Sequence, residues 1–148
     1  MTTTANRTRT NDLQLNSWNV RSLSEPGSLE ALLVELRHYR CNITALQETK
    51  WKGSVVSEEK GFAIFSSGCR TRAEFSATSF VVDAKWKGNV IGWIPIHGRL
   101  RVLRVKGKFF NYSIINAHAP HNERDEETKE SFYIGGARAT TSKSSLVI

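Results

Sequence analysis

Cysteine is scarce in this 148-residue chain. Only Cys41 and Cys69 occur, without a CxxC spacing, which argues against a zinc site or a disulfide framework and suits a reducing compartment. No apolar run approaches membrane-spanning length, and the first residues hold no apolar signal core. The expected setting is therefore soluble and intracellular, nuclear or cytoplasmic, with no membrane partner. Internal repeats are also missing. Acidic residues are the other shortage: 14 Asp and Glu stand against 21 Lys and Arg, a net charge of +7. That excess, spread over the chain and not confined to one tail, favours a polyanionic partner through phosphate neutralisation and counterion release. The alternative is charge that serves solubility alone. Apolar residues make up 39%, with four Trp and seven Phe, enough for the core of one domain or part of one.

Residues 1–12 are rich in Thr, Asn and Arg without apolar periodicity and are expected to form a disordered basic lead-in. Leu13 to Val20 reads as a first strand, with Leu13 and Leu15 alternating with polar residues ahead of Trp18 and Asn19. After a loop of Ser24, Pro26 and Gly27, Ser28 is placed to cap a helix reaching about Tyr39. Its Leu29, Leu32, Leu33 and Leu36 fall at i, i+3, i+4 and i+7, and Arg37, His38 and Arg40 suit its negative end. Ile43 to Leu46 is too short for a helix and reads as a buried strand. Strand, helix and strand make a crossover unit that delivers Asn19 and Glu48 to one carboxyl edge, where ligands gather in open α/β sheets.

Thr49 to Lys60 is polar and reads as a loop. Short β-branched and aromatic runs then follow: Phe62 to Ser66, Phe75 to Val82, Val90 to Pro95, Leu100 to Val105 and Phe109 to His118, the last two joined by a Lys106-Gly107-Lys108 turn. Strands in series after one helix predict a mixed α/β fold with antiparallel hairpins. Glu123 to Tyr133 is charged and helix-permissive. From Ile134 the Gly-, Ser- and Thr-rich composition predicts a flexible tail over 134–148.

Three polar residues now stand at strand ends: Asn19, Glu48 and His118. A carboxylate at Glu48 followed by Lys50 suits a hard cation holding a phosphate, although a solvated glutamate leaving a strand fits those residues too. The segments Ser17-Trp18-Asn19-Val20-Arg21, Leu46-Gln47-Glu48-Thr49-Lys50-Trp51 and Asn116-Ala117-His118-Ala119-Pro120 resemble, in order and spacing, the endonuclease/exonuclease/phosphatase superfamily. Over residues 13–133 the wording looks most like the endonuclease domain of non-LTR retrotransposons and the craniofacial development protein 2-like sequences derived from them.

The resemblance implies a four-layered α/β sandwich of two mixed sheets with flanking helices, present here in part. It also implies Mg²⁺ (or Mn²⁺) dependent phosphodiester cleavage. Glu48 matches the metal-ligating glutamate, and Asn19 the asparagine whose amide helps hold that site. His118 matches the position whose donor contacts the scissile phosphate. Arg21 and Lys50 match cations set against phosphate, the first able to grip bidentately and the second a point charge. For Asn19 a plain chain turn, for His118 a structural histidine, and for Arg21 and Lys50 a solvated surface are the ordinary alternatives.

The chain also departs from the pattern. The Asp-x-Asn motif and the terminal Asp-His pair of the family's second half have no match, and His38, His97 and His121 stand at none of those positions. Ser76 to Phe80 replaces a Gly-Thr-Gly-Phe type strand. The expectation is an amino-terminal half of a DNA endonuclease, inactive alone unless a partner supplies the rest, with sequence-indifferent DNA binding. The rival is a non-catalytic basic remnant that binds nucleic acid or protein.

Overall fold

The computed structural model describes residues 13–51, 54–67, 78–97, 100–118 and 145–147. Strand β1 (Leu15–Asn19), helix α1 (Ser28–His38) and strand β2 (Ile43–Gln47) form the expected crossover, with β1 and β2 parallel. Strands β3 (Ser54–Glu59), β4 (Phe62–Ser67) and β5 (Ser79–Val82) complete a five-stranded mixed sheet in the order β1-β2-β5-β4-β3. A 3-10 turn at Lys87–Asn89 leads to β6 (Val90–His97), β7 (Leu100–Val105), β8 (Tyr112–Ala117) and β9 (Ser145–Val147), a four-stranded sheet in that order. Its first three strands run antiparallel, and β9 lies parallel to β8.

Helix α1 buries the leucine stripe read from the sequence: Leu32, Leu33 and Leu36 pack with Leu46, Phe62, Ile64 and Val81 on the outer face of the first sheet. Ser28 does not cap it. Gly27 takes that position in the left-handed region (φ 81), which costs glycine little, and the Ser28 hydroxyl turns back to donate to Glu25 O at 2.7 Å. At the other end Arg40 is itself left-handed (φ 55), Cys41 N donates to Leu36 O and Arg40 N to Arg37 O. Both bonds satisfy carbonyls that a helix end would otherwise leave bare.

Alternation along the strands sorts the remaining core. Ile43, Ala45, Ala63, Phe80 and Val82 of the first sheet meet Leu103, Val105 and Ile114 of the second, with Trp93 edge-on to Phe80 at 5.8 Å. On the far side of the second sheet, Leu100, Val102 and Ile115 form a smaller cluster. The mixed α/β architecture with two mixed sheets is thus as expected. Among the described residues α1 is the one α-helix, so it covers the first sheet alone.

Several expectations differ at their edges. The stretch read as a loop from Thr49 to Lys60 contains β3, paired residue for residue with β4 across a two-residue turn at Lys60 (φ 48) and Gly61 (φ 88). Positive φ at both turn positions matches the right-handed twist of a hairpin. The strand escapes a periodicity test because Ser57, Glu58 and Glu59 are polar, as an edge strand tolerates. The run from Phe109 begins its strand only at Tyr112, leaving Phe109 and Phe110 exposed in the connection. Of the expected tail, Ser145–Val147 are described, and they are a paired strand. Residues 1–12, 119–144 and 148, which include the helix-permissive segment, lie outside the described residues.

Candidate active site

In the parallel pair, Asn19 sits beside Gln47. The chain leaving β1 is then laced to the chain leaving β2: Val20 N donates to Gln47 O at 3.1 Å and Leu23 N to Thr49 O at 3.0 Å. This lacing forces unusual backbone. Of the six described non-glycine residues with positive φ, four lie here: Arg21 (57), Ser22 (148), Glu48 (57) and Lys50 (56). Such conformations cost roughly 1–2 kcal/mol per residue and gather where surrounding structure over-determines the chain.

The turn at Glu48 brings its carboxylate to His118, which follows β8 of the other sheet. Glu48 Oε1 and His118 Nε2 are 3.3 Å apart, with side chains 22% and 14% exposed, so protonated His118 makes an ion pair partly shielded from water. A buried polar floor holds the two sheets in register beneath them. The Asn116 amide donates to Leu46 O (3.0 Å) and Ser79 O (2.9 Å) and accepts from Gln47 Nε2 (2.9 Å), which also donates to Ser17 Oγ at 3.1 Å. Thr49 and Ser79 hydroxyls, both buried, lie 3.4 Å apart beside it.

The sequence reading gave no role to Gln47, Asn116 or Ser79. A signal existed. Ile43 and Ala45 face inward, so period two sends Gln47 inward, and Ile114 sends Asn116 the same way. Two amides aimed into one core must find partners, and they find each other.

Of the other expected site residues, Asn19 is exposed and its Oδ1 accepts from Arg21 N at 3.1 Å, closing a turn. Arg21 and Lys50 are exposed on the two laced loops at the same edge. Among the described residues no group of three His, Cys, Asp or Glu is spaced for a metal ion. The donors at this edge fit a hard cation all the same. Mg²⁺ keeps several waters and takes one or two carboxylates plus substrate phosphate, so Glu48 is the carboxylate such an ion would take, while Asn19 Oδ1 is engaged by Arg21 N.

No family model matches the chain. By structure it is similar to the endonuclease domain of TRAS1, a telomere-specific non-LTR retrotransposon (TM-score 0.62, 13% identity, 88% of this chain and 55% of that one). It is also similar to an endonuclease/exonuclease/phosphatase family protein from Leptotrichia buccalis (TM-score 0.59, 8% identity, 92% and 65%). A third similar structure is D. rerio TDP2 complexed with a single-strand DNA product (TM-score 0.54, 16% identity, 88% and 56%). The fold is that of the endonuclease/exonuclease/phosphatase superfamily. In sequence the chain is similar to craniofacial development protein 2 of Bos taurus, at 26% identity over 119 residues, and to that of Tragulus javanicus, at 27%. The match covers 80% of this chain and spans about a fifth, 20%, of those relatives' length.

Proposed function

We propose that the chain carries the metal-binding side of a DNA phosphodiesterase site of retrotransposon origin, and that it binds DNA but does not cut it unaided. The observation that carries this reading is the Glu48–His118 pair, 3.3 Å apart at the carboxyl edge of a nuclease-type fold. Glu48 and the Asn19 amide would hold Mg²⁺ or Mn²⁺. When bound, such an ion polarises a phosphate and stabilises the leaving oxygen. Arg21 and Lys50 bring positive charge to the phosphates on either side, and His118 Nε2 donates to a phosphate oxygen as charge develops there.

Hydrolysis also needs a base for the attacking water. The histidine and acid that the superfamily resemblance assigns to this task have no match in the 148 residues, and general-base assistance typically contributes about 10²- to 10⁴-fold. A partner segment that brought them to the Glu48–His118 cleft would complete the site.

A second reading is a basic nucleic-acid-binding remnant without metal chemistry. It is favoured by the turn that already engages Asn19 Oδ1. A plasmid-nicking assay with Mg²⁺, run beside a binding assay on the same duplex, tests both. Binding without nicking, with a metal response that Glu48→Ala removes, supports the first reading. Nicking that Glu48→Ala abolishes makes the chain a complete enzyme, and failure to bind duplex DNA defeats both readings.

A further inference from the structure

The Glu48 edge is one end of the molecule; the other holds a cavity that this reading leaves unused. It has a volume of about 1010 Å³ and opens between β1 of the first sheet and β8 of the second. Leu13, Leu15 and Ile114 form an apolar floor, and Trp86, Phe109 and Tyr112 add aromatic faces. Lys85, Lys106 and Lys108 complete the wall, and among the described residues no carboxylate lines it. Because Tyr112 begins β8 and His118 follows its end, a strand rise of ~3.3 Å per residue puts this cavity about 20 Å from the Glu48–His118 pair.

The wall is built and held. Lys106 N donates to Asn89 O at 2.7 Å, and Asn89 Nδ2 returns a bond to Lys106 O at 3.0 Å, tying the β7–β8 connection to the 3-10 turn. At Gly107 a β-carbon would meet the Phe110 backbone carbonyl and come within 2.6 Å of the Tyr112 ring, so this tight connection requires glycine. The result presents Phe109, 85% exposed, with Lys108 Nζ 5.4 Å from its ring centroid.

We propose that this cavity is a second nucleic-acid contact, taking a single-stranded segment whose bases enter against Phe109, Tyr112 and Trp86 while its phosphates lie on Lys106 and Lys108. The inference rests on the DNA-binding reading above and extends it to a surface remote from the Glu48 edge. Charge selects the occupant: three lysines among the described lining residues oppose a basic partner such as a second copy of this +7 chain. Stacking faces interleaved with lysine are the chemistry that grips unpaired bases, and a duplex cannot offer its bases to them.

The test is fluorescence anisotropy with a short labelled oligothymidylate and, separately, a labelled duplex. Lys106→Gln/Lys108→Gln should weaken oligothymidylate binding about tenfold and flatten its salt slope by about 1.4, two contacts at about 0.7 each. Phe109→Ala, at a position too exposed to unsettle the fold, should weaken it by at least about fivefold with the salt slope unchanged. Arg40→Gln/Lys60→Gln removes the same charge on the helix side of the first sheet and should change affinity by less than about twofold. Equal losses from the two charge pairs, or no loss from Phe109→Ala, would overturn the proposal. A chain that binds the duplex but not oligothymidylate defeats this cavity and leaves the function reading standing; one that binds neither defeats both.

Discussion

Gln47 and Asn116, 69 residues apart in the chain, join their side-chain amides across the gap between the two sheets, Nε2 to Oδ1 at 2.9 Å. Asn116 is fully buried and its two N–H groups are both used, on Leu46 O and Ser79 O. This one side chain therefore fixes where β8, and with it His118, stands relative to β2 and Glu48.

Asn116→Asp keeps the shape and removes both donors, so it should destabilise the fold by roughly 2–4 kcal/mol, because two carbonyls lose their partners and a carboxylate is placed against them. Gln47→Ala should cost less, since it removes the bonds to Asn116 Oδ1 and Ser17 Oγ but leaves both Asn116 donors on their carbonyls. A double-mutant cycle of Asn116→Ala, which also removes the accepting oxygen, with Gln47→Ala should give, by urea denaturation, a coupling of about 0.5–3 kcal/mol. A coupling near zero would mean that the bond does not join the sheets.

Backbone strain separates two kinds of left-handed residue. Arg40 ends a helix, where glycine is the favoured residue, so Arg40→Gly should raise stability by about 0.5–1 kcal/mol. Lys50 has nearly the same φ, 56 against 55, but stands on the loops beside Glu48. Lys50→Gly should also stabilise, by about as much, while weakening duplex binding. If both substitutions stabilise and neither affects binding, Lys50 is ordinary surface.

How far these features were legible differs element by element. Helix α1 could be read because four leucines repeat at its period, and Leu100–Val105 because flanking polar residues and a Lys-Gly-Lys turn isolate it. Strand β3 could not, since an edge strand needs no apolar alternation. The Asn116–Gln47 bond was hidden for another reason: each strand shows an inward polar residue, but only the packing of two sheets says that the two amides meet. Asn19 shows the limit from the other side. Its place at a strand end is plain in sequence, while the bond that occupies its oxygen depends on the left-handed geometry of Arg21.

Cys41 gives a pH dependence with a definite sign. Burial pushes its thiol above the ordinary range, outweighing the hydrogen bond from Asn16 that favours the thiolate, and Asp83 adds to the upward shift. The folded state thus binds the thiol proton more tightly than the unfolded state. Its contribution to stability is fully present below the ordinary thiol pKa of about 8.5 and is lost as pH rises through the higher folded value. In a Cys69→Ser background, denaturant midpoints should fall with alkaline pH, and Cys41→Ala should lessen that fall. Folded Cys41 should also resist alkylation at neutral pH; rapid labelling there would show that the site is open.

Duplex binding by Arg21 and Lys50 should declare itself through salt. Both side chains are exposed on loops laced to the carboxyl edge, where a phosphate at the Glu48–His118 cleft would have neighbours on either side. Each phosphate neutralised releases condensed counterion and contributes about 0.9 to the slope of log affinity against log salt on a duplex. Arg21→Gln/Lys50→Gln should therefore flatten the slope by about 1.8. Between 50 and 200 mM salt the double variant should lose about tenfold less affinity than the parent, and at high salt the two should converge. Single variants should divide the effect, with Arg21 contributing more to affinity because its guanidinium can hold two phosphate oxygens at once. Glu48→Gln should act oppositely in the absence of metal, tightening duplex binding by removing a negative charge from the same cleft. With Mg²⁺ present the proposed metal role of Glu48 predicts that this advantage shrinks, because a cation held there would face the phosphate. Unchanged slopes in the Arg21/Lys50 variant, together with a Glu48→Gln effect indifferent to Mg²⁺, would place the DNA on some other face of the molecule.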